Sequence, residues 1–263
     1  MNFLEKLKKQ MQQANSLVCV GLDPDIAKIG DQPQFDFNQA IIEATHDLVC
    51  AYKPNTAFYE ALGAEGIQAL KDTCDYLRAQ HSDIPIILDA KRADIGNTNN
   101  GYAAFAFEYL NVDAITLHPY LGGEALESFL RHEDKGLIIL ARTSNPGARE
   151  LQDLVVDGKP LYQQVIGNFV ENWNQHGNIL FVTGATYPEE IGIIRKQIGD
   201  DITLLVPGVG AQGGDLENSL LNGLNQDKEG LIISTSRAVI FASDPRAEAL
   251  KLRDEINEIR EEM

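Results

Sequence analysis

Eight short apolar runs, each followed by a stretch of helical periodicity, constrain this 263-residue chain more than any other feature. They lie at Leu17–Leu22, Leu48–Tyr52, Ile84–Leu88, 112–117, 136–141, 178–183, 202–206 and 230–234. Their length and the turn residues that bound them read as buried strands. Between them, Phe37, Ala40, Ile41, Ala44 and Leu48 mark one helix face, and Ile67, Leu70, Cys74 and Leu77 another. The last helix has Asp244 as N-cap and Pro245 at its first position, with Leu252, Ile256 and Ile259 on one side. Continuous apolar strands alternating with helices predict a parallel sheet covered on both faces. Eight such units in about 250 residues predict an α/β chain of the (β/α)8, or TIM, barrel type. A doubly wound open sheet is the alternative. Leu4, Leu7, Met11 and Ala14 add a leading amphipathic helix over Phe3 to Ala14. No linker, charge block or repeat divides the chain, so residues 1–263 read as a single barrel domain with an extra N-terminal helix.

The formal net charge of -17 argues against nucleic acid and anionic membrane surfaces as partners, because both attract basic proteins. An anionic small substrate requires a locally positive pocket. Cys19, Cys50 and Cys74 show no metal-ligand spacing and are odd in number, which reads as a reducing, cytoplasmic chain. The acid-bearing start, Met1 to Lys6, is unlike a signal peptide, and no apolar run approaches spanning length.

In such a barrel, chemistry sits at the C-terminal ends of the strands. Strand 1 ends in Asp23, strand 2 in Lys53, and strand 3 in Asp89 and Lys91. Alternation along a strand puts Asp89 and Lys91 on one face. Adjacent strands are about 4.8 Å apart, so these four charges form an alternating arc. Unit charges about 4 Å apart interact by roughly 4 kcal/mol at an effective dielectric near 20, enough to keep each ionised and fixed. A lone D-x-K is also explained by a structural ion pair, Asp23 by a turn before Pro24, and Lys53 by a solvated strand end.

Strand 7 leads into Pro207-Gly208-Val209-Gly210-Ala211-Gln212-Gly213-Gly214-Asp215. Its G-x-G-x-x-G match is a weak dinucleotide signal, since no acid ends the next strand to hold a ribose. A phosphate loop is the better reading, because barrels bind phosphate after strands 7 and 8. Strand 8 brings Ser236 and Arg237 to the same corner, and a guanidinium suits phosphate. After strand 5, Thr143-Ser144-Asn145-Pro146-Gly147 offers groups for a heterocycle edge, and turn chemistry explains it equally well. His118 is as compatible with a packed rim position as with catalysis. The connection 145–162 is the candidate lid.

With Asp89-x-Lys91-x-x-Asp94-Ile95-x-x-Thr98 in view, the chain resembles the orotidine 5′-phosphate decarboxylase family. Gly21-Leu22-Asp23, Tyr52-Lys53-Pro54, the Ser-Asn-Pro-Gly turn, the strand-7 loop and Ser236-Arg237 extend the resemblance over essentially the whole chain, towards the longer bacterial branch. The resemblance implies that Lys91 protonates C6 of orotidine 5′-monophosphate as CO2 leaves and that Asp89 sits near the substrate carboxylate. It implies that Lys53 and Asp94 complete the charge network, with Asp94, Ile95 and Thr98 crossing the interface of a homodimer. Asp23 and Lys53 would hold ribose hydroxyls, Ser144 the pyrimidine edge, and Pro207, Gln212, Ser236 and Arg237 the phosphate corner. No metal and no cofactor is implied.

The residues fit that chemistry independently of the name. Loss of CO2 leaves an in-plane carbanion that the ring π system cannot delocalise, and no thiamine, pyridoxal or metal motif is present to act as a sink. Fixed charge aimed at the developing anion remains. Two other readings stay open: a Mg2+-dependent sugar-phosphate decarboxylase or hexulose-phosphate synthase sharing the D-x-K-x-x-D core, and a non-catalytic phosphate-binding barrel.

Overall fold

The computed structural model describes residues 1–209 and 215–263. Its eight main strands are β1 (Val18–Leu22), β2 (Ala51–Pro54), β3 (Ile87–Arg92), β4 (Ala114–Leu117), β5 (Gly136–Arg142), β6 (Ile179–Thr183), β7 (Leu204–Pro207) and β8 (Leu231–Thr235). They pair in the order β2-β1-β8-β7-β6-β5-β4-β3, every ladder parallel. The ring is drawn together between β2 and β3 by the isolated parallel bridges Tyr52–Ile86 and Asn55–Asp89. This is the (β/α)8 barrel that the alternation predicts, rather than the open sheet.

Strands β1, β2, β4, β6 and β8 are buried along their whole length. They carry core side chains on one face and helix contacts on the other, which is why they read as continuous apolar runs rather than as alternating ones. The outer layer includes the helices Gln34–Thr45, Gly63–Gln80, Leu161–Asn172, Pro188–Ile198, Leu216–Gly223 and Pro245–Glu262. The last is capped by the Asp244 carboxylate, which accepts from Ala247 N–H, with Pro245 in its first turn as the sequence predicts.

The extra helix α1 (Phe3–Ala14) opens with a reciprocal capping box between Asn2 and Glu5. It closes the bottom of the barrel. The Phe3 ring occupies the space a side chain at Gly136 would need, Lys6 pairs with Asp113 at 3.1 Å, and Gln10 donates to Val49 O. All three contacts are made at the N-terminal ends of strands, leaving the opposite face open for chemistry.

Two strands are displaced furthest from their predicted limits. β2 begins at Ala51 rather than Leu48, because Leu48 N–H closes a turn on Thr45 O and sheet pairing starts only where Cys50 N–H reaches Val18 O. β3 begins at Ile87 rather than Ile84 and runs on to Arg92, so Asp89 and Lys91 lie in its C-terminal half, where the sequence places them. Apolar character reports burial, and here burial begins before the ladder does. The connection 145–162 is folded: a 3-10 turn at Pro146–Ala148, a helical turn at Arg149–Gln152, and a small hairpin pairing Val155–Val156 with Lys159–Pro160.

Candidate active site

A cavity of about 550 Å³ opens at the C-terminal ends of the strands, and each of the eight strands, or the residue that follows it, contributes to its wall. One side is charged. Asp89 Oδ1 accepts from Lys91 Nζ at 2.6 Å and from Thr116 Oγ1 at 3.0 Å. Its Oδ2 accepts from Lys53 Nζ at 3.2 Å and from Asn55 Nδ2 at 3.3 Å. Four donors therefore hold one carboxylate in a single orientation. Burial pushes its proton affinity up, but the Lys53 and Lys91 ammonium groups more than offset this, and Asp89 stays below the usual carboxylate range. The buried Lys53 shows the converse: desolvation lowers its affinity for a proton, and Asp89 and Asp23 raise it further than burial lowers it.

Asp23 joins this arc through its carboxylate, which accepts the backbone N–H of Asn55 at 3.2 Å. Asn55 thus touches both acids, a role that the spacing of charges did not reveal. Thr116 was missed for a similar reason. It is one hydroxyl inside an apolar strand, and only its inward direction makes it part of the site.

Asp89 and Lys91 meet as their spacing predicts, yet a regular pleat does not bring them together. Lys91 has φ +47°, in the left-handed region that side chains rarely adopt. The β3–β4 register jumps there, from Leu88 opposite Ile115 to Arg92 opposite Leu117. Four residues of β3 advance against two of β4, a bulge that re-aims the lysine over the cavity.

The opposite side is the glycine corner. Gly208, at φ +97°, turns the chain out of β7 in a conformation that favours glycine, and Pro207, Ser236 and Arg237 line the wall beside it. Gln212 lies outside the described residues. Between the two sides runs an apolar wall that includes Leu140, Val182, Leu205 and Val209.

The turn after β5 supplies Thr143, Ser144 and Asn145 to the cavity. Gln152 Oε1 accepts Thr143 N–H at 2.9 Å, its Nε2 donates to Thr143 Oγ1 at 2.9 Å, and that hydroxyl donates to Asn145 at 2.7 Å. Beneath them Arg142 is wholly buried, bonded to Glu190 at 2.7 Å, paired with Asp153 at 3.2 Å, and placed 4.3 Å from the centre of the Tyr187 ring. The base of the candidate lid is therefore pinned to the rim. Sequence reading passed over Arg142 because its partners lie 11 and 48 residues away in the chain.

Asp94, Ile95 and Thr98 are not part of the cavity wall within one chain. Asp94 is half-buried and accepts Ile95 N–H at 2.7 Å, whereas Ile95 is 65% exposed and Thr98 is exposed. His118 is half-buried on the rim; its backbone N–H donates to Arg92 O and its side chain does not line the cavity. Among the described residues, no group of three or more His, Cys, Asp or Glu is arranged to hold a metal ion, and no helix is long and apolar enough to cross a membrane.

A barrel whose mouth sets a fixed lysine–carboxylate array against a glycine-and-arginine corner defines an enzyme class that acts on small phosphorylated anions. The profile of the orotidine 5′-phosphate decarboxylase / HUMPS family matches residues 16–252, and the chain belongs to this family. It is 50% identical to the orotidine 5′-phosphate decarboxylase of Cellvibrio japonicus over 99% of this chain and 100% of the relative. It is 46% identical to that of Thermomicrobium roseum over 100% and 98%. Among solved structures, Leishmania donovani OMP decarboxylase superposes with a TM-score of 0.89 at 41% identity, covering 99% of both chains. A putative orotidine-monophosphate decarboxylase of Toxoplasma gondii superposes at 0.95 and 37%, covering 99% and 98%.

Proposed function

We propose that this chain, acting as one domain over residues 1–263, converts orotidine 5′-monophosphate to uridine 5′-monophosphate and CO2, a step of pyrimidine biosynthesis, without metal or cofactor. The observation that carries this reading is the saturated Asp89 carboxylate with Lys91 Nζ 2.6 Å away, across the cavity from Arg237 and Gly208. The phosphate binds at Gly208, Ser236 and Arg237, with Pro207 beside it and Gln212 completing the grip. Asp23 and Lys53 hold ribose hydroxyls, and Ser144 reads the pyrimidine edge. The substrate carboxylate then lies against Asp89, which is locked in place and ionised, so repulsion there raises the ground state.

As the C6–carboxyl bond breaks, its electron pair remains on C6 in the ring plane. The Lys91 ammonium faces that charge without having to reorient, which is electrostatic preorganisation. It transfers a proton from Nζ to C6 and recovers one from water. Binding energy from the distant phosphate holds the reacting carbon against the lysine.

Asp94, Ile95 and Thr98 act from a second copy, in a homodimer with shared sites. Support comes from the exposure of Ile95 (65%) and Tyr120 (82%) near the rim, apolar surface that a partner would cover. We also read the protein as cytoplasmic, from three unpaired cysteines. Curated relatives bearing the decarboxylase name at 43–50% identity favour this reading over the sugar-phosphate enzymes and the non-catalytic barrel. Loss of orotidine monophosphate absorbance, followed with and without EDTA, tests it. Turnover that survives the chelator is expected; no turnover of orotidine monophosphate, with or without Mg2+, would contradict the reading and leave the sugar-phosphate sibling or the non-catalytic barrel.

A further inference from the structure

The strained lysine needs a support, and the fold supplies one. At the β3–β4 bulge the ladder is interrupted, so Lys91 N–H loses the backbone acceptor that a regular strand would give it. A backbone donor left unpaired in such a place is costly. Thr116 fills the gap from β4. Its Oγ1 accepts Lys91 N–H at 2.9 Å and donates to Asp89 Oδ1 at 3.0 Å. Thr116 itself is only 1% exposed, in a strand buried along its whole length. One hydroxyl thus spends its donor on the acid and an acceptor lone pair on the backbone of the base.

We propose that Thr116 is a positioning residue: its hydroxyl holds Lys91 in the left-handed conformation and so fixes the ammonium over the cavity. This rests on Lys91 being the proton donor of the reaction proposed above. Backbone strain at a functional residue persists only where surroundings over-determine it. Here the determinants are the Thr116 bond to Lys91 N–H and the Asp89 carboxylate that receives both the Thr116 hydroxyl and the Lys91 ammonium. Removing the hydroxyl takes away one anchor of the lysine backbone and one of the four donors that orient Asp89. The loss falls on transition-state alignment, because the phosphate, ribose and pyrimidine contacts lie elsewhere on the wall.

Thr116→Val keeps the shape of the side chain and removes the hydroxyl; Thr116→Ser keeps the hydroxyl. The expected result for Thr116→Val is a kcat lower by about tenfold or more, the scale on which small misplacements act, with KM for orotidine monophosphate within about twofold. Thr116→Ser is expected to restore most of kcat. A crystal structure of Thr116→Val is expected to show residue 91 leaving positive φ, or its Nζ leaving hydrogen-bond distance of Asp89. The proposal is overturned if Thr116→Val keeps wild-type kcat, if KM alone rises, or if residue 91 keeps its conformation and its contact with Asp89. A wild-type chain that does not turn over orotidine monophosphate sinks the functional reading instead, and the crystallographic comparison still decides the support role.

Discussion

Lys91 reaches Asp89 Oδ1 at 2.6 Å from a backbone held at φ +47°. The pair is therefore more than a surface ion bridge. Its acid is mostly buried and bound by four donors, and its base stands on a bulge that interrupts the sheet. Such an arrangement carries strain and desolvation cost, which fits a site organised for charge placement rather than for stability alone.

Asp89 titrates below its unfolded value, which is near 3.9. A depressed carboxylate contributes stability above that value, and the contribution is lost as pH falls through the folded value. Lys53 is raised, so its contribution is present below about pH 10 and is lost as pH rises through its folded value. Asp89→Asn is expected to lower unfolding free energy by about 3 kcal/mol at neutral pH, because it strands a buried lysine. The gap should narrow below about pH 4, where the wild-type acid begins to lose its advantage. Urea unfolding at neutral pH and near pH 3 checks this; an equal gap at both would contradict it.

Gly184 lies against the turn that we assign to the pyrimidine edge. A Cβ on it would stand 2.8 Å from Ser144 N and 2.7 Å from Ser144 Cβ, closer than real contacts allow. Gly184→Ala is expected to push Ser144 out of register and raise KM about tenfold or more while the chain still folds. Steady-state kinetics beside a thermal melt separates the two effects. Unchanged KM would show that the turn does not read the substrate.

Arg195 provides the opposite case. Its buried guanidinium donates to the carbonyls of Gly199, Ile202, Gly223 and Gly230, and burial lowers its pKa to about 10. Among the described residues no carboxylate pairs with it directly, so its work is to satisfy carbonyls around the N-terminal ends of β7 and β8. Arg195→Met is expected to cost on the order of 3 kcal/mol of stability through orphaned carbonyls. KM and kcat of the folded fraction should be unchanged, as chemical denaturation and kinetics on one preparation will show.

Shared active sites make a quantitative prediction. Lys91→Ala and Asp94→Ala chains, each inactive alone, are unfolded together and refolded as an equal mixture. Half of the dimers are then mixed, and each mixed dimer holds one intact site, so activity should recover to about a quarter of wild type. No recovery would mean that Asp94 serves its own chain or none.

The barrel was legible because strands covered on both faces write long apolar runs, and eight of those admit few folds. Asp23, Lys53, Asp89 and Lys91 were legible because charges at the ends of such runs have to be explained. Asn55, Thr116, Gln152 and Arg142 were not. Each acts through a hydrogen bond or ion pair with a residue distant in sequence, and neither periodicity nor motif spacing carries that information. The bulge at Lys91 was hidden for a related reason: Asp-Ala-Lys-Arg looks like an ordinary strand end until β4 is laid beside it.

In the proposed reaction the residue-91 ammonium faces the carbon that loses its carboxyl group. The most direct measurement is release of labelled CO2 from carboxyl-labelled orotidine monophosphate by wild-type and Lys91→Ala chains, with uridine monophosphate binding measured on both. Release by the wild type, none above background from Lys91→Ala, and nucleotide binding by each are expected. Wild-type release from the alanine variant would contradict that placement of the ammonium.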